Sequence, residues 1–97
     1  MSELLTADDV AASLTTLHDW SGDTSAITRK AKLATFLGAI DVVDRVAQVA
    51  EGMDHHPDID IRWRTLIFTL ATHSAGGVTA KDFTLAAKID EILATAP

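Results

Sequence analysis

The sequence predicts an α+β fold, a sheet with its helices on one face, on three observations. Thr6 with Asp9, and Thr79 with Asp82, form capping-box pairs that each open a helical pattern. Residues 58–64 alternate charged and apolar side chains with the period of two expected of a half-buried strand. Ala34 to Met53 is apolar at helical spacing over its whole length. Taken in order, the pattern reads helix, two short strands, helix, one or two strands, helix.

The first helix follows Thr6, carries Val10, Leu14 and Leu17 on one face, and ends near His18, which reads as a surface residue. Ser21-Gly22-Asp23 then supplies turn chemistry between Trp20 and the β-branched run Ala26-Ile27-Thr28, which predicts a hairpin. In the long helix Phe36, Ile40, Val43, Ala47 and Ala50 step by four and three, opposite Asp41, Asp44, Arg45, Gln48 and Glu51. Val42, Val46 and Val49 widen this stripe and point to a second buried contact such as a subunit partner.

Pro57 is expected to stop that helix, because it lacks a backbone donor and excludes the helical region for the residue before it. Ile59, Ile61 and Trp63 then form the dry face of a strand. At Leu66, Phe68 and Leu70 the apolar phase has slipped by one residue, so a bulge or a break into two strands is required near Arg64-Thr65. Ser74-Ala75-Gly76-Gly77 is a turn, and Phe83, Ala86, Ala87, Ile89, Ile92 and Leu93 complete a last helix.

Composition narrows the functional classes. With 97 residues, 47% apolar and 23% charged, residues 1–97 are expected to form one small domain, in which one active or binding site is to be sought. A chain this size buries only about 60–65% of its unfolded surface, so self-association is expected. Eight Lys and Arg against fourteen Asp and Glu give a net charge of -6 without a basic run, which disfavours direct nucleic-acid binding. No cysteine is present, so disulfides, thiolate metal sites and Cys nucleophiles are excluded. The N-terminus lacks the pattern of a secretory signal, and no run of about 20 uncharged apolar residues predicts a membrane span. A soluble, cytoplasmic protein is expected.

Three of the four histidines fall at element ends: His55 and His56 before Pro57, and His73 before the glycine turn. Neighbouring side chains on a regular helix or strand diverge, but a break at Pro57 allows His55 and His56 to converge on a volume that His73 also reaches. Glu51, Asp54, Asp58 and Asp82 are placed to orient imidazoles and tune their protonation. Such a set suits proton transfer. Three imidazoles and a carboxylate are also suitable ligand types for zinc or iron, but His-His-Pro lacks the i, i+4 spacing of a helical metal motif, so no metal is expected. Trp63 reads as core, or as a ring at a pocket edge that stacks on a flat ligand. The Gly76-Gly77 pair lacks the pattern of a phosphate loop.

Two blocks, Glu51-Gly52-Met53-Asp54-His55-His56-Pro57-Asp58 and Thr72-His73-Ser74-Ala75-Gly76-Gly77-Val78-Thr79-Ala80-Lys81-Asp82, with the Leu85-Ala86-Ala87 helix after them, resemble the pterin-4a-carbinolamine dehydratase family. The resemblance runs from Trp20 to Leu93. It implies a four-stranded antiparallel sheet with three helices on one face, in the order α-β-β-α-β-β-α. It implies dehydration of a 4a-hydroxytetrahydropterin, such as 4a-hydroxytetrahydrobiopterin, to the quinonoid dihydropterin without metal or redox cofactor, recycling a pterin cofactor. His55 and His73 would be general acid or base, and His56 would assist mainly by holding the pterin. Glu51, Asp54, Asp82 and the wall residue Trp63 would contact or frame the substrate. A homodimer or homotetramer is implied as well. The chain departs from the family's usual sequence at Lys30-Ala31-Lys32-Leu33 and at Ile61-Arg62-Trp63. A competing expectation is a scaffold or assembly protein that keeps the dehydratase fold, alone or beside catalysis.

Overall fold

The computed structural model describes residues 3–96. Helix α1 (Ala7–Leu14) starts where predicted: the Thr6 hydroxyl accepts the Asp9 N–H at 3.1 Å, and the Asp9 carboxylate accepts the Thr6 N–H at 3.2 Å. Strands β1 (Trp20–Gly22) and β2 (Ile27–Lys32) form the expected hairpin, with Gly22 opposite Ile27. Its turn requires glycine at position 22, where φ is 147° and an added Cβ would lie 2.2 Å from the Ala26 carbonyl oxygen. Asp23 closes the turn by accepting the Ser25 hydroxyl and the Ser25 N–H, the latter at 2.8 Å. Those bonds, the hydroxyl's first, hold the Asp23 carboxyl below its ordinary range.

Helix α2 (Phe36–Met53) begins at the N-cap Thr35, whose hydroxyl accepts the Gly38 N–H at 2.9 Å. Its orientation corrects the sequence reading. The buried seam is Ala39, Val42, Val46 and Ala50, whereas Phe36 is 48% exposed, Leu37 80% exposed and Ala47 exposed. Small and β-branched side chains let the helix lie close to the sheet and to the last helix, so the narrower row turns inward and the bulkier Phe36 and Leu37 stay at the periphery.

Strands β3 (Asp58–Arg62) and β4 (Thr65–Leu70) resolve the phase slip as a two-residue turn, with Arg62 paired to Thr65 and Trp63-Arg64 as the loop. Trp63 adopts φ 61° and is 76% exposed, which corrects its expected place in the core. The strand ends one residue before it, and the left-handed turn carries its ring off the dry face. Helix α3 (Ala80–Ala94) buries Leu85, Ala86 and Ile89.

All neighbouring strands are antiparallel, in the order β1-β2-β4-β3, and the predicted element order holds. Ile27, Ala31, Leu66, Phe68 and Leu70 face the helices and share one core cluster with Val10, Val42, Val46 and Ile89. By alternation, the other sheet face presents Thr28, Lys30 and Lys32, then Thr65 and Thr69, then Asp58, Asp60 and Arg62. Asp90 on α3 fastens this assembly to the first hairpin, accepting the Trp20 indole N–H at 2.8 Å and pairing with Arg29. No helix among the described residues is long and apolar enough to cross a membrane.

Candidate active site

The site is built by the way α2 ends. Asp54 takes the left-handed conformation, φ 50° and ψ 43°, while its own N–H and that of His55 bond back to the last turn, the latter reaching the Ala50 carbonyl at 3.0 Å. Aspartate tolerates this conformation better than most residues with a side chain. The reversal places His55 inside and His56 outside. It also corrects the expected role of Pro57: the helix has already closed at Asp54, both histidines lie beyond it, and the proline instead sets the extended entry to β3.

Register brings the third histidine to the same end of the sheet. Asp58, the first residue of β3, pairs with Thr69 near the end of β4. Thr72 and Gly77 then pinch off a tight loop, with the Thr72 N–H bonded to the Gly77 carbonyl at 2.8 Å, and this loop carries His73. A side chain at Gly77 would meet the Thr24 carbonyl oxygen at 2.6 Å, so the close approach of the loop to the first hairpin depends on glycine there.

Behind the histidines lies a buried polar network centred on Asp82, which is 0% exposed. Its Oδ2 accepts the Thr79 N–H and the Thr72 hydroxyl, both at 2.9 Å, and its Oδ1 lies 2.6 Å from His55 Nε2. A carboxylate only accepts hydrogen bonds, so Nε2 is the donor and Nδ1 is left as the acceptor of the neutral ring. Because the Thr72 hydroxyl proton goes to Asp82, the 2.7 Å contact between Thr72 and Thr79 runs from the Thr79 hydroxyl to Thr72 Oγ1. The N-terminal cap of α3 is thereby the device that orients His55.

A cleft of about 280 Å³ opens over this network, lined by Asp54, His55, His56, Asp58, Thr72 and His73 among others. His55 is 8% exposed, while His56 and His73 stand in solvent. The His56 Nε2 donates to Glu51 Oε1 at 2.5 Å, a contact between two largely exposed side chains at the rim. The structure thus brings His55, His56, His73 and Asp54 to one cleft, with Asp82 one hydrogen bond behind and Glu51 one hydrogen bond to the side. Trp63 is not brought there. It sits at the opposite end of β3, roughly 17 Å along the strand at about 3.4 Å per residue.

Thr72 is the residue that sequence reasoning passed over. Its signal is the period of two beyond β4: Leu70 and Thr72 share the inward face, so its hydroxyl is buried and requires a partner, which Asp82 supplies. Among the described residues, no three histidine or acidic side chains are grouped to hold a metal ion.

A family model described as pterin 4 alpha carbinolamine dehydratase matches residues 3–92. The chain belongs to that family. A protein of Nocardia farcinica, provisionally named pterin-4-alpha-carbinolamine dehydratase, is 52% identical over 91 residues, spanning 94% of this chain and 96% of its own. A Mycolicibacterium smegmatis protein of the same provisional name is 52% identical over 90 residues, 93% of this chain and 96% of its own. Among solved structures, a transcriptional coactivator/pterin dehydratase from Brucella melitensis superposes with a TM-score of 0.88 at 35% identity, covering 92% of this chain and 97% of its own. A pterin dehydratase-like protein described as a RuBisCO assembly factor in the alpha-carboxysome superposes with a TM-score of 0.63 over 80% of this chain and 89% of its own. At 19% identity, it shares the dehydratase fold alone.

Proposed function

We propose that this chain dehydrates a 4a-hydroxytetrahydropterin to the quinonoid dihydropterin, with water as the second product. The carbon–oxygen bond at C4a breaks, the departing hydroxyl takes a proton, and the adjacent ring nitrogen loses one, so no net proton or electron is exchanged. A redox-neutral elimination needs a base, an acid and a shaped pocket. The observation that supports this reading is the Asp82–His55 pair set beside His56 and His73 in one cleft.

In this reading His55 is the base, since its Nδ1 is the acceptor and Asp82 would stabilise the imidazolium that forms. His73, on the exposed loop and outside the Asp82 network, gives the proton to the leaving hydroxyl. His56, steadied by Glu51, holds the pterin, and Asp54 offers a carboxylate to its amino-pyrimidine edge. Trp63 takes no part in this reading because it lies at the other end of β3. The test is dehydration of chemically generated 4a-hydroxytetrahydropterin by wild type, His55→Ala and His73→Ala. Equal rates in all three would overturn the enzymatic reading and leave the scaffold role as the one to pursue.

The outward row of α2 supports self-association. Phe36 and Leu37 are exposed at the start of a helix whose Ile40 and Val43 remain half-buried, and apolar rows of this kind are more often covered in an oligomer. Sedimentation of wild type is expected to give a dimer or larger, and Leu37→Glu a lighter species. A monomeric wild type at micromolar concentration would count against it.

A further inference from the structure

The end of the sheet away from the histidines gathers the charge that the rest of the chain lacks. Of the eight Lys and Arg, four meet around the β3–β4 turn: Lys30, Lys32, Arg62 and Arg64. Thr65 pairs with Lys32 on one side and Arg62 on the other, and residues directly opposite in a sheet share a face, so a hydroxyl stands between two cations. Strands lie about 4.8 Å apart, which puts the two flanking backbones roughly 10 Å from each other, within reach of one tetrahedral anion for both long side chains. Lys30 follows two residues along the same face. Arg29 and Arg45 are paired with carboxylates, whereas among the described residues these four cations have none within ion-pair distance. The acid on that face nearest in register, Asp60, is separated from Lys30 by Ile67.

Beside the cations stands an exposed aromatic plane. Trp63 holds φ 61°, an unfavourable conformation for so bulky a residue, and conformations of this kind cluster where a side chain has a task. The Arg64 guanidinium carbon lies 5.7 Å from the centre of its ring, and Nη1 reaches toward the Leu33 and Ala34 carbonyls at 3.5 and 3.4 Å. Lys30, Lys32, Trp63, Arg64 and Thr65 line a basin of about 540 Å³, within the range of small-molecule sites.

We propose that this basin binds a phosphorylated flat heterocycle, in chemical class a nucleoside phosphate, with Trp63 stacked on the ring and Lys30, Lys32 and Thr65 on the phosphate. A compact ligand fits better than a nucleic-acid strand. The net charge is -6, and Asp58 and Asp60 continue along β3 from the basin, so a phosphate chain leaving it would be repelled.

The test is a titration with GTP, read from the two indole N–H resonances of the protein. The exposed Trp63 signal should shift and saturate, while that of Trp20, buried and bonded to Asp90, should not. Guanosine and tripolyphosphate should each bind more weakly than GTP. Lys30→Glu and Lys32→Glu, both at exposed positions lining the basin, should each raise Kd at least tenfold and leave the Trp20 resonance and the dehydration rate unchanged. The proposal is overturned if the Trp63 signal fails to saturate with GTP, if either charge reversal leaves Kd unaltered, or if a single-stranded oligonucleotide binds more tightly per site than GTP.

Discussion

Asp82→Asn should leave a protein that folds almost as well as wild type and dehydrates its substrate about 10²–10⁴-fold more slowly, whereas Asp82→Ala should unfold far more easily. The two outcomes follow from the three partner atoms around one buried carboxylate. Oδ2 faces two donors, the Thr79 N–H and the Thr72 hydroxyl, and an amide oxygen in the same place can accept both. The amide nitrogen must then face His55 Nε2. It is a donor, so the ring can keep its bond only by presenting Nε2 as the acceptor and moving its proton to Nδ1. The packing survives with the wrong tautomer in place, and the proposed base has lost its lone pair. Alanine instead removes the return bond of the capping box, worth about 1 kcal/mol, and strands the Thr72 hydroxyl and the His55 Nε2–H at about 1–3 kcal/mol each. A loss of about 3–7 kcal/mol lowers Tm by roughly 15–35 °C in a domain of this size. Thermal melts and initial rates on both variants check the pair. An Asn variant as active as wild type would show that Asp82 serves stability alone.

Much of this arrangement was legible because each part carried a local signal. The capping boxes at Thr6 and Thr79, the period of two in β3 and the phase slip before Leu66 are short-range patterns, and each corresponds to an element boundary in the structure. The convergence of His55, His56 and His73 on one cleft was also legible, although Asp54 and not Pro57 ends the helix. Proline advertises its constraint in the sequence, whereas the left-handed aspartate at position 54 does so only when the hydrogen bonds of the last turn are known. The face of α2 was hidden for a different reason. Two apolar rows compete on that helix, and which one turns inward depends on how closely small side chains at 39, 42, 46 and 50 let it approach its neighbours. Trp63 shows the limit of periodicity: it fits the alternation perfectly and lies one residue beyond where the strand stops.

The division of labour among the three imidazoles should appear as a split between kcat and KM. His55→Gln and His73→Ala are expected to lower kcat by about 10²–10⁴-fold, the usual contribution of a positioned acid or base. His56→Ala is expected to raise KM about fivefold with kcat nearly unchanged, the loss of one hydrogen bond worth about 1 kcal/mol. Glu51→Gln should do less still, since the His56–Glu51 pair lies at an exposed rim where solvent screens it. The pH–rate profile separates the two proton-transfer roles by sign. A base must be unprotonated, so rates fall toward low pH while it is present, and His55→Gln should flatten that acidic limb. An acid must be protonated, so the alkaline limb belongs to His73 and should flatten in His73→Ala. Glutamine at 55 is chosen because its amide can still meet Asp82 Oδ1, so a changed profile reports a lost titrating group and not a collapsed network. If His56→Ala lowered kcat as far as the other two, or if both limbs survived in both variants, the assignment of base to 55 and acid to 73 would be wrong. The burial gradient across the cleft, from His55 against Asp82 to His73 in solvent, would then need another explanation.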